Sequence, residues 1–187
     1  MDKNFKLSKR HSLSKLCIEK GHTDFDSLFN YIKQLPYGRN SNRGDYTLVL
    51  KENKGTCATK HAFLKAIALE NNFDALKLYL GIFKMNAINT PKIASILKAN
   101  HLKYIPEAHC YLKHCNNLLD ITFGTENHTS FRNTLLYENA ISPEQIGNYK
   151  INLHQTFLKT WIKKEQLHLS FEDLWNIRES CIIAISE

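Results

Sequence analysis

The chain has 187 residues, with 25 Lys+Arg against 18 Asp+Glu and nine His, a formal net charge of +7. Hydrophobic residues make up 43% and charged residues 23%, the usage of an ordinary globular domain; seven Gly and four Pro exclude a collagen-like or low-complexity chain. No apolar run reaches the ~20 residues of a membrane span, and the length suffices for one domain, 1–187, that folds without disulfides or metal.

The charge is uneven. Residues 1–20 hold six basic side chains (Lys3, Lys6, Lys9, Arg10, Lys15, Lys20) against Asp2 and Glu19, so four of the seven surplus charges fall in what reads as a basic N-terminal arm. Nothing there is apolar enough for a secretory signal. Five cysteines (Cys17, Cys57, Cys110, Cys115 and Cys181) at irregular spacing then read as reduced thiols of a cytoplasmic protein.

Residues 24–35 put Phe25, Leu28, Phe29 and Ile32 on one helical stripe, capped by Thr23 or Asp24 and closed by Pro36. Turn chemistry fills 37–45, and a short apolar piece, 46–50, follows. Gly55 and Thr56 precede a helix from about Cys57 to Asn71. Its apolar residues run nearly all round, as a buried central helix requires. Residues 75–85 read as a strand. Pro91 opens a short helix ending near Asn100, and 108–113 and 118–123 read as strands joined by a tight polar turn. The C-terminal third returns to helix. Ser142-Pro143-Glu144-Gln145 and Ser170-Phe171-Glu172-Asp173 are helix-start patterns, and Leu153, Phe157, Leu158, Trp161 and Ile162 make a stripe between them. That order predicts an α+β fold rather than alternating βαβ units.

Cys57 is the most informative position for chemistry. A thiol at a helix N-terminus meets unpaired amides and a partial positive charge, which favour the nucleophilic thiolate and supply donors for an oxyanion. Alone, such a cysteine reads as one more small buried thiol. His109 and Asp120, on the two consecutive strands, change the balance: a cysteine nucleophile needs a base, and the base needs a partner to fix its tautomer. A four-residue connection at Lys113–Asn116 would set His109 opposite Asp120. A turn at Asn116-Asn117 would instead set Asp120 opposite Lys113.

Gly55-Thr56-Cys57 opening a helix, His109-Cys110-Tyr111 on a strand and Asp120-Ile121-Thr122 on the next resemble the transglutaminase-like superfamily. The resemblance covers residues 53–124. It implies the papain-like cysteine-protease architecture, in which a central helix carrying Cys57 packs on a small antiparallel sheet, with flanking N- and C-terminal helices in this chain. It also implies that Cys57 is the nucleophile, His109 the general base and acid, and Asp120 the orienting carboxylate. The chain departs from the family in Tyr111, where Trp is frequent, in Ile121, where Pro is frequent, and in Asn71-Asn72-Phe73-Asp74, where a Gly often follows the helix.

Other residues are open to two readings. Tyr37 and Arg39 either line a substrate cleft, with Arg39 holding a carboxylate or phosphate, or form a surface turn. Gln34 and Asn53 are polar candidates for the second oxyanion donor. His109-Cys110 and His114-Cys115 suggest zinc ligands, but neighbours on a strand face opposite ways and no CxxC or HxxxH spacing appears. The residues therefore point to no metal and no cofactor. His61 reads as a packed histidine near Cys57; Glu107 either tunes His109 or faces solvent; Trp161 and Trp175 read as core. The leading expectation is a Cys-His-Asp hydrolase or acyltransferase acting on an amide, peptide or related acyl bond. The alternative is a basic nucleic-acid or protein-binding module with a non-catalytic fold of the same type. It ranks second because the basic excess lies in the arm and the strands are mainly aliphatic.

Overall fold

The computed structural model describes residues 3–115, 117–123 and 129–186. The chain begins with α1 (Ser12–Glu19) and α2 (Phe25–Gln34). Asp24 caps α2 by accepting from the Ser27 N–H at 3.0 Å, and the expected stripe of Phe25, Leu28, Phe29 and Ile32 is buried. The stretch read as a basic arm is folded rather than solvated. Cys17 and Leu7 join the core, and Glu70 accepts both the backbone N–H (2.8 Å) and the hydroxyl (2.7 Å) of Ser14. Lys6 and Lys15 stay exposed, so the surplus charge lies on the outside of a packed segment rather than on a loose tail. Met1 and Asp2 lie outside the described residues.

The apolar piece at 46–50 enters α3 (Leu48–Glu52), a short helix that buries Val49 and Leu50. Next comes α4 (Cys57–Glu70). Twelve of its 14 residues are buried, which makes it the central helix. Its start is fixed by a reciprocal cap: the Thr56 hydroxyl accepts from the Thr59 N–H, and the Thr59 hydroxyl accepts from the Thr56 N–H at 3.0 Å. Gly55 is needed here for space. A Cβ would lie 2.9 Å from the Lys60 side chain and 3.0 Å from the Thr59 hydroxyl.

The remaining elements are β1 (Leu76–Met85), a 3-10 turn at Pro91–Ile93 running into α5 (Ala94–Ala99), β2 (Ile105–His114), β3 (Asn117–Leu119), β4 (Leu135–Ile141), α6 (Asn148–Lys164) and α7 (Phe171–Ser186). The strands form one antiparallel sheet in the order β3-β2-β1-β4. Alternate residues divide between two cores, as the pleat demands. Leu78, Leu80, Ile82, Ala108, Cys110 and Leu112 join α4 in one cluster. Phe83, Met85, Ile105 and Tyr111 join Leu158 and Trp161 of α6 and Leu174 and Cys181 of α7 in the other. At Gly81 a Cβ would come 2.8 Å from Leu135 and 3.1 Å from the ring of Tyr111, so the glycine makes room for that fully buried ring. The fold class is α+β, with α4 against the sheet and helices flanking it at both ends. Among the described residues no helix is long and apolar enough to cross a membrane.

Two strand expectations need correction. β4 was not expected from the sequence; its residues between Leu136 and Ala140 are exposed, so no alternation of apolar and polar residues marks it. The strand expected at 118–123 is only Asn117–Leu119. It pairs His114 with Asn117, Lys113 with Leu118 and Leu112 with Leu119, a register midway between the two considered above. Cys115 takes a left-handed conformation in the connection (φ 54°); Asn116, on which both expected turns drew, lies outside the described residues.

Candidate active site

Asp120 lies just past the last pair of the β2–β3 ladder. Had the ladder continued, it would face Tyr111, which makes His109 its diagonal neighbour on the same face of the sheet. The side chains bridge that diagonal: His109 Nε2 lies 2.7 Å from Asp120 Oδ2. The other carboxylate oxygen accepts from the Thr122 N–H (2.9 Å) and hydroxyl (2.6 Å), so the carboxylate is held from both ends.

Residues 120–122 are pinned to α4. His61, fully buried one turn after Cys57, places Nδ1 2.6 Å from the Cys57 carbonyl and accepts from the Ile121 N–H at Nε2 (2.9 Å). A carbonyl only accepts, so Nδ1 carries the proton and Nε2 is the acceptor. Burial lowers the pKa of this ring to about 4, in keeping with a neutral imidazole. The reading of His61 as a packed histidine therefore fits its surroundings, and its packing is what seats Asp120. Lys60, also buried, adds to the clamp by donating to the carbonyls of Leu35 (2.5 Å), Thr122 (3.2 Å) and Ile121 (3.4 Å).

Cys57 is the first residue of α4, with 8% of its surface exposed. Among the described residues β2 has no partner strand beyond Leu112 on its β3 side, and there the Cys110 N–H donates to the Cys57 sulfur. His109 is the thiol's side-chain hydrogen-bond partner; with Nε2 on Asp120, the nitrogen left for sulfur is Nδ1. Three sequence-distant residues thus form one line, Asp120–His109–Cys57. Phe131 closes one side of it, edge-on to His109 with ring centroids 4.7 Å apart.

The charges are arranged to ionise the pair. Burial pushes the Cys57 thiol up, but the Lys150 ammonium, and then the charge and hydrogen bond of His109, bring it from an ordinary 9.0 down to about 6. Burial pushes His109 down, yet Asp120 and the thiolate lift it to about 10. Asp120, despite burial, is held well below the usual carboxylate range by His109. Near neutral pH the pair is thiolate and imidazolium. On the other inner thiols burial dominates over the neighbouring charges, pushing Cys17 and Cys110 up to about 12 and Cys181 to about 11.

Cys57 opens into a cleft of about 80 Å³, bordered by Tyr37 and Arg39, by Ile146, Lys150 and His154, and by Trp175 and Arg178. Tyr37 and Arg39 both border this cleft. Arg39, however, is already paired with Glu179 at 2.7 Å. Gln34 is exposed and outside the lining, and Asn53 accepts from the Tyr31 hydroxyl (3.1 Å), so neither reaches the thiol. Among the described residues no group of three or more His, Cys, Asp or Glu is placed to hold a metal ion.

No protein-family model, curated protein or solved structure matches the chain.

The C-terminal helices contribute what the sequence did not disclose. Arg178 of α7 grips Glu107 of β2 through Nε (2.7 Å) and Nη2 (2.5 Å), and Nη1 reaches Glu179 at 2.6 Å. Glu107 is therefore neither a tuner of His109 nor a solvated acid; it anchors α7 over the cleft. His154 bonds the Pro106 carbonyl at 2.8 Å. Trp175, read as core, is half-buried at the cleft wall, with the Arg178 guanidinium 5.2 Å from its ring centre. Lys150, in the first turn of α6, places Nζ 3.9 Å from the Cys57 sulfur. The helix-start pattern at 142–145 heads a 3-10 turn just before this helix, and nothing in it told which of many lysines turns inward.

Proposed function

We propose that the chain is a cysteine-dependent hydrolase or acyltransferase acting on an amide, peptide or related acyl bond. The observation that carries this reading is the unbroken line Asp120–His109–Cys57 at the first turn of a buried helix, inside a cleft. Such a line has a purpose beyond packing: three buried ionisable groups are costly unless each finds a partner, and here the partners leave a thiolate facing open space. The transglutaminase-like resemblance of Gly55-Thr56-Cys57, His109-Cys110-Tyr111 and Asp120-Ile121-Thr122 agrees with it in residue type and order.

The chemistry follows from the charges. Cys57 Sγ attacks the acyl carbon and forms a C–S bond as the carbonyl electron pair moves to oxygen. On collapse the bond to the leaving group breaks, and His109 Nδ1–H supplies its proton. Water, losing a proton to the now neutral His109, attacks the thioester and releases the acid with the thiolate restored. An amine in place of water would give transamidation. Hydrolysis is the simpler outcome because it needs no second binding site.

Mapping of iodoacetamide adducts by mass spectrometry at pH 6 tests the assignment. Cys57 is expected to be alkylated first although Cys115 is the exposed thiol, and Cys57→Ala to remove that adduct alone. Labelling dominated by Cys115, with Cys57 untouched, would sink the proposal.

A further inference from the structure

Acyl transfer through Cys57 needs two donors for the carbonyl oxygen that becomes negative, and the helix start offers one backbone N–H. Lys150 is the cationic side chain at the thiol itself. Its Nζ lies 3.9 Å from the sulfur, a long contact for a hydrogen bond to a thiolate, and it borders the same cleft. No carboxylate is paired with it directly: Glu107, the acid that lines the cleft, is gripped bidentately by Arg178, and among the described residues Lys150 forms no ion pair with a carboxylate within 4.0 Å. The wall around it includes Ile146, Ile151 and Ile182, so the charge acts through a poorly polarisable medium.

We propose that Lys150 is a catalytic residue of this site, its ammonium following the negative charge from the Cys57 sulfur to the carbonyl oxygen as the acyl carbon is attacked. This inference rests on Cys57 being the nucleophile. The oxyanion forms two bonds from the sulfur, on an atom within reach of a lysine side chain already at the thiolate. The contact strengthens as the reaction proceeds, because an N–H···O⁻ bond is shorter and stronger than a 3.9 Å approach to a large, soft sulfur. Binding that improves only toward the transition state is what accelerates the step. The charge then returns to sulfur when the thioester is hydrolysed.

Two electrophiles separate this role from simple stabilisation of the thiolate. Iodoacetamide reacts by displacement: the S–C bond forms as iodide leaves, and no oxyanion arises. p-Nitrophenyl acetate reacts by addition: the S–C bond forms, the carbonyl oxygen becomes anionic, and the aryl oxide leaves with its electron pair. Rates with both probes, read across pH 5–10 for wild type, Lys150→Met and Lys150→Arg, are compared on each protein's own plateau, where the thiol is fully ionised. The expected result for Lys150→Met is an alkylation plateau within about threefold of wild type and an acetylation plateau lower by roughly 10²–10³-fold, the cost of one oxyanion donor. Lys150→Arg, which keeps the charge and a donor, should recover part of the acetylation. Equal proportional losses with both probes would overturn the oxyanion role while leaving Cys57 as the nucleophile. Wild type that is alkylated at Cys57 yet acetylated no faster than a free thiol would overturn the acyl-transfer reading itself, and this inference with it.

Discussion

Two charge clusters meet at the cleft. In one, Glu107, Arg178, Glu179 and Arg39 form a chain of ion pairs between 2.5 and 2.7 Å that ties α7 to β2 and to the loop after α2. In the other, Asp120, His109, Cys57 and Lys150 tie α4 to the β2–β3 region and to α6. Both oppose cations to anions, but their protons differ. Arginine does not give up its proton in proteins, and Arg178 holds Glu107 far below its ordinary range, so the first cluster has a single charge state. In the second, a thiol brought to about 6 and an imidazole lifted to about 10 can exchange a proton with a reacting molecule. The first cluster is a strut; the second has the charge states that the proposed chemistry needs.

That contrast is broken most forcefully by Arg178→Met. Glu107 would be left buried and unpaired, which costs about 3–5 kcal/mol and roughly 6–20 °C in Tm for a domain of this size. Cys57→Ala, by comparison, should lower Tm much less, since His109 keeps Asp120 as its partner, while abolishing alkylation at the helix start. Melting curves for the two variants check this; similar melts would erase the distinction between the two clusters.

A smaller effect, on reactivity, comes from Asp120→Asn. The amide keeps the shape and the bonds from Thr122 but cannot hold His109 as imidazolium, so the thiol rises toward its ordinary value. Each unit it rises slows alkylation about tenfold below the new midpoint. Wild type should alkylate with a midpoint near pH 6, and the variant with a higher one. The effect on stability is smaller for a reason of sign. His109, with its folded pKa raised, adds stability that is full below 6.5 and is lost as pH rises through about 10. Cys57, with its folded pKa depressed, adds stability that is full above 9.0 and is lost as pH falls through about 6. Between 6.5 and 9 the two slopes oppose each other, so wild-type Tm is expected to be nearly flat there. A steep change in that window would show that the two groups do not titrate as a pair.

The smallest change belongs to Arg39→Ala. Its pair with Glu179 is partly solvated, with side chains 35% and 25% exposed, and its loss should cost about 1 kcal/mol or less, or roughly 2–4 °C in Tm. A loss as large as that of Arg178→Met would mean that the outer half of the strut is as desolvated as the inner half.

Much of this molecule is legible wherever the physics is local. The stripe and cap of 24–35, the all-round apolar pattern after Thr56 and the helix starts at Ser142 and Ser170 depend on neighbours three or four residues apart. Ser142 heads a capped 3-10 turn before α6, and Ser170 makes reciprocal bonds with Asp173 at the start of α7. Positions such as β4, exposed over most of its length, carry no such periodicity, and the N-terminal lysines describe an outer face without revealing the inner one.

Residue type and order along the chain nominated Cys57, His109 and Asp120, because a helix start, a strand and the segment after it are local features that each residue occupies. The sequence could not decide how Asp120 meets His109, since a hairpin register changes with a single residue of its turn and the meeting is a diagonal set by His61 and Lys60 holding 120–122. Nor could it pair Glu107 with Arg178 across 71 residues, or choose Lys150 from among 25 basic side chains. Those choices belong to the tertiary structure. A buried charge is tolerated only beside its counter-charge, and which counter-charge is near is settled by the packing of α6 and α7 on the sheet.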